Sequence, residues 1–110
     1  MDQDQLVAIV ERSGIAYQPG TRQKQLNQVR FFGPESRHSL NLGYTAGAFV
    51  ADFVFKADDR KTNVSRCQAF LEPFAGELRQ DRTIFARITV PFGKEDQLIQ
   101  MIQNYWGLDL

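Results

Sequence analysis

The run AFVADFVFKA, residues 48–57, constrains this chain more than any other stretch. Phe49, Ala51, Phe53 and Phe55 share one parity, while Val50, Asp52, Val54 and Lys56 share the other. Side chains with a period of two stand on opposite faces of a strand, so the first set belongs to a core. The second, mixed set suits a sheet face turned to water or to a partner. TIFARITVPF, residues 83–92, repeats the pattern, with Ile84, Ala86, Ile88, Val90 and Phe92 set against Phe85, Arg87 and Thr89. Pro91 cannot donate to a ladder, which puts the end of that strand at an edge.

Strands with one apolar face need a cover, and helical periodicity supplies it. In KEDQLIQMIQNYWGLDL the residues Leu98, Ile99, Ile102, Tyr105 and Trp106 recur at the spacing of one helix face. Glu95 and Asp96 suit its N-terminus and Gly107 its end. A first helix is predicted over residues 3–13, with Asp2 or Asp4 as cap, Leu6, Ile9 and Val10 inward and Gly14 after its last turn. A middle helix is predicted after the turn Asp58-Asp59-Arg60-Lys61, capped by Thr62 or Asn63. Its seam runs Val64, Cys67, Leu71, Phe74 and Leu78, and Pro73 should kink it or split it near Leu71.

The remaining strands are read from weaker signals. SLNLGYT alternates Leu40, Leu42 and Tyr44 with Asn41 and Gly43, and pairs with the 48–57 run as a hairpin across Ala46-Gly47. Ile15 and Tyr17 begin an extended piece that Pro19-Gly20 is expected to break as a turn. TRQKQLNQVRFFG is polar; a strand over about 26–32 is favoured because its end is β-branched and aromatic and Gly33-Pro34 stops it. The expected order is α-β-β-β-α-β-α in a single α+β domain spanning residues 1–110. Three to four strands form a small antiparallel sheet with helices packed on one face. A parallel contact is allowed where the middle helix links two strands.

Composition excludes several classes. Hydrophobic residues make up 43% of the chain and nine are Phe, too much for a disordered segment. Cys67 is the single cysteine, so no intramolecular disulfide framework exists, and its place in an apolar seam makes it a small core residue. No apolar run approaches the roughly 18 residues of a membrane span. MDQDQLVAIVERSG has acids where a signal peptide needs bases, so a reducing cytoplasm is expected. One His and one Cys cannot build a zinc site, and neither a calcium loop nor a phosphate-binding loop is present. No metal or cofactor is therefore expected.

Three groups of residues remain as candidates for function. Tyr105, Trp106, Leu108 and Leu110 form an aromatic and apolar terminus of the kind that seeds protein contacts. Arg22, Lys24, Arg30 and Arg37 concentrate basic charge in a chain whose 13 basic and 13 acidic residues cancel overall. That stretch, with Phe31 and Phe32 beside Arg30, is the basis of a nucleic-acid-binding alternative. His38, the one histidine, with Arg37 and Tyr44, is the basis of a ligand-binding or catalytic alternative. No catalytic constellation accompanies it. The leading expectation is a non-catalytic module that binds another protein or itself as a homo-oligomer, through an exposed sheet face or the C-terminal helix.

Overall fold

The two alternating runs become neighbouring strands of one antiparallel sheet. The computed structural model describes residues 1–22 and 27–110, residues 19, 21 and 22 by their backbone alone. Its elements are α1 (Gln3–Arg12), β1 (Gln18–Arg22), β2 (Gln28–Phe32), β3 (His38–Tyr44), β4 (Ala48–Phe55), α2 (Arg60–Leu71), β5 (Gly76–Gln80), β6 (Ile84–Pro91) and α3 (Glu95–Trp106). Among the described residues the strands lie in the order β1-β2-β3-β4-β6-β5, and every neighbouring pair is antiparallel. The three helices pack on one face, over Val29, Phe31, Leu40, Leu42, Phe49, Ala51, Phe53, Phe55, Ile84, Ala86, Ile88 and Val90, all buried.

The first and last helices follow their patterns. Asp2 caps α1 in a reciprocal box with Gln5, and Gly14 beyond its end takes a φ of 75°. Leu6, Ile9 and Val10 are its buried face. In α3 the buried set is Leu98, Met101, Ile102 and Tyr105, so Met101 joins the core although the apolar stripe read from sequence left it out.

The sheet has six strands where three to four were expected. One addition is β1, which runs straight through Pro19-Gly20 instead of turning there. It is an edge strand with an irregularity between Pro19 and Arg22, the setting in which a sheet tolerates proline. The strand expected over 26–32 is β2, beginning at Gln28; position 26 lies outside the described residues.

The other addition is β5. The middle helix is capped by Asp59, whose carboxylate accepts from the Thr62 N–H at 2.9 Å, in place of Thr62 or Asn63. Asn63 instead holds the turn before it, donating to the Asp58 carbonyl at 2.7 Å. The helix ends at Leu71, because Pro73 has no N–H to continue the ladder. Phe74 then falls in a turn, and Leu78 lies on an edge strand rather than on a second helical segment. Gly76 is required there, since a Cβ would stand 2.7 Å from the Ile88 Cγ1 and 2.8 Å from the Leu71 Cδ2. The β5–β6 hairpin reverses the chain once more after α2, so β6 returns antiparallel to β4 and no parallel contact arises. Because β5 pairs only as far as Ile88, Pro91 meets Ala48 of β4 on one side and has no strand on the other.

Tyr105 ties the layers together. Its ring is fully buried among Phe53, Phe55 and Phe70, at centroid distances of 5.1, 5.5 and 5.8 Å. Its hydroxyl lies between two paired strands: it accepts from the Ser39 N–H of β3 at 2.8 Å and donates to the Val54 carbonyl of β4 at 2.5 Å. Burial pushes the Tyr105 hydroxyl well above its ordinary pKa, so it remains a donor throughout the physiological range. Tyr105→Phe keeps the ring but orphans a buried N–H and a carbonyl. It is expected to lower the unfolding free energy by about 1–3 kcal/mol, read from the urea midpoint at unchanged slope.

Candidate functional site

Among the described residues no helix lies on the face of the sheet opposite α1, α2 and α3, and the side chains there are half-buried or exposed, apart from the small residues Ser39 and Gly43. Strand register builds this face in rows. Arg30 pairs with Asn41, Asn41 with Asp52, Asp52 with Arg87 and Arg87 with Glu77, so one polar row crosses β2, β3, β4, β6 and β5. On one side Phe32, Ser39, Val54 and Phe85 form a second row. On the other, Gln28, Gly43, Val50 and Thr89 form a third.

The polar row has a fixed centre. The Arg87 guanidinium grips Asp52 with both a 2.9 Å and a 3.0 Å bond, the forked geometry that makes such pairs strong. The Asp52 side chain is only 14% exposed, and its bond to Arg87 raises the arginine's pKa further. Beside it, the Asn41 amide donates to Gln28 Oε1 at 3.1 Å, while its own Oδ1 is buried without a partner.

A groove of about 290 Å³ opens between these rows. Ser39 and Asn41 lie along it between Phe32 and Phe85, with Arg30 and Lys56 also lining it. Each ring carries a cation of the same chain: Lys56 Nζ stands 5.3 Å from the Phe32 centroid and the Arg87 guanidinium 5.5 Å from that of Phe85.

The residues singled out in the sequence are dispersed by the fold. Tyr105 is in the core and cannot meet a partner. Trp106 is half-buried, its indole N–H on the Ala16 carbonyl at 2.9 Å, and Leu108 and Leu110 pack against the core. His38 holds that end in place: its Nε2 is 2.9 Å from the Leu108 carbonyl, and its ring stacks on Trp106 at 5.7 Å. Arg37 donates to the Leu110 carbonyl at 2.8 Å. Tyr44 closes the opposite end of β3 from His38, roughly 20 Å away at ~3.4 Å per residue, so the two do not share a site.

Of the basic residues, the two with described side chains, Arg30 and Arg37, lie apart. Arg30 lies on the open face, Arg37 lies against the C-terminal residues, Arg22 is described by its backbone alone, and Lys24 is outside the described residues. Among the described residues no three His, Cys, Asp or Glu side chains converge on a metal site. No described helix is long and apolar enough to cross a membrane.

No protein-family model matches this chain, and neither a curated protein nor a solved structure matches it. The site therefore stands on its own geometry. Sequence reasoning identified the parity of Asp52, Val54, Phe85 and Arg87 but not their alignment, which only strand register creates.

The central ion pair yields a stability prediction. Asp52→Ala leaves a partly buried guanidinium unpaired and is expected to cost about 1.5–3 kcal/mol in chemical denaturation. Replacing both Asp52 and Arg87 by leucine should restore much of that loss, since the desolvation cost leaves with the charges. A second prediction concerns Cys67, whose burial pushes its thiol from 9.0 to about 11. A raised acid pKa stabilises the folded state below the unfolded value, so this contribution is complete below pH 9 and fades between pH 9 and 11. At pH 8, labelling by a thiol reagent should proceed only as fast as the protein unfolds.

Proposed function

We propose that this chain is a protein-interaction module that meets another polypeptide, or a second copy of itself, on the open face of its sheet. The observation carrying this reading is that face itself, where Phe32, Val50, Val54 and Phe85 flank a polar row and no described helix covers them. Aromatic side chains beside an arginine are the composition enriched at the centres of protein contacts.

The sheet edges are poorer candidates for contact. At one end β1 carries Pro19 and an irregular register, and at the other β5 is short and carries the Glu77–Arg79 ion pair at 2.8 Å. Both are devices that discourage strand addition. The C-terminal helix, the other surface considered from sequence, spends Tyr105 on the core and Trp106 on Ala16. A reducing compartment such as the cytoplasm suits a module whose one cysteine is buried and unpaired.

Site-specific photo-cross-linking tests the reading. A benzophenone side chain at Val54 should capture a partner or a second copy in cells and in purified protein, whereas the same group at Gln103 on α3 should not. Adducts from α3 alone, or a monomer with no adduct from Val54, would overturn it.

A further inference from the structure

The groove on the open face carries more positive charge than its own carboxylate can answer. Both Asp52 oxygens are engaged by Arg87, so Asp52 does not serve Arg30 or Lys56. Among the described residues neither Arg30 nor Lys56 has an ion-pair partner, although five other pairs form on the surface. Both side chains are exposed and both line the groove. Two unanswered cations at one groove, in a chain of zero net charge, form a local preference for anions.

The two charges reach the groove from different strands. Arg30 and Phe32 are two residues apart on one face of β2, which is about 7 Å along a strand. Lys56 follows β4, two strands from β2, and its Nζ rests 5.3 Å from the Phe32 ring centre, so both cations border the same groove. Carboxylates at alternate positions of an extended segment share one face about 7 Å apart, within reach of two long, exposed side chains at one groove. Asn41 adds beside the groove a buried amide oxygen with no partner among the described residues, and a peptide backbone N–H is a donor of the kind it lacks. The rings point away from nucleic acid as occupant, because Lys56 and Arg87 already stand by the ring faces on which bases would stack.

We infer that the groove binds an extended acidic segment of a partner protein, with Asp or Glu at alternate positions set against Arg30 and Lys56. The inference rests on the open-face reading and names the partner's chemistry.

The test uses short fluorescein-labelled peptides whose centres read Glu-Ser-Glu-Ser-Leu, Gln-Ser-Gln-Ser-Leu or Lys-Ser-Lys-Ser-Leu, titrated with the full chain. The Glu peptide should bind about tenfold more tightly than the Gln peptide, the sum expected of two semi-exposed charge pairs. The double variant Arg30→Glu, Lys56→Glu should lose that preference and favour the Lys peptide. Urea unfolding should show the variant folded, as both side chains are exposed.

Equal binding of the Glu and Gln peptides, unchanged in the variant, would overturn the charge assignment; loss of that binding in Val54→Asp would leave the open-face reading standing. Binding of none of the peptides, with no cross-link from Val54, would remove both. Two further results would also overturn the acidic-peptide inference. One is tighter, steeply salt-dependent binding of oligothymidylate. The other is a dimer in sedimentation that the Arg30→Glu, Lys56→Glu variant dissociates.

Discussion

One hydroxyl group connects the helical layer to the sheet. Tyr105 reaches from α3 between β3 and β4, accepting from Ser39 and donating to Val54, at the end of the hairpin furthest from its turn. A phenol in that position does two things at once. Its ring fills the space bounded by Phe53, Phe55 and Phe70, and its oxygen satisfies backbone groups that would otherwise be buried unpaired. The contact fixes where α3 crosses the sheet, and through Phe70 it draws in α2. Around it His38 and Trp106 close the rim, and His38 seats Leu108 against the start of β3.

With three helices anchored to one face, the apolar content of the chain is largely spent there. The opposite face has to be stable while wet. It manages this with a row of side chains that answer one another across strands, above all Asp52 and Arg87, and with rings covered by cations of the same chain. Such a face tolerates water and still offers apolar area between its polar rows.

The parts of the fold that were legible in the sequence are those with a strong period and a buried side. β4, β6, α1 and α3 each bury one parity or one stripe, and nothing else satisfies that pattern. β5 was not legible because GELRQ is exposed almost throughout and has no apolar period. Leu78 extends the three- and four-residue spacing of Val64, Cys67, Leu71 and Phe74 by coincidence, and only the position of Pro73 and the crowding around Gly76 break it. Pro19-Gly20 carries turn chemistry but lies on an edge, where tertiary pairing overrides it. The open-face rows were illegible for a different reason: parity gives a side chain its face, whereas a row needs the register of five strands.

The same distinction separates a count of charges from a local field. Thirteen bases and thirteen acids suggest no electrostatic preference, and the density of bases between residues 22 and 37 suggests a stripe. Folding sends Arg37 to the C-terminal residues and Arg30 to the open face. It also brings Lys56, distant in sequence, over Phe32 on the same side as Arg30. What decides the local field is which cations find a carboxylate within reach. Asp52 is the one acid among the groove's lining residues, and it belongs to Arg87. Neutrality of the whole chain is thus compatible with a groove that is cationic, and a partner would sense the groove, since charges more than about 8–10 Å away are screened at physiological salt.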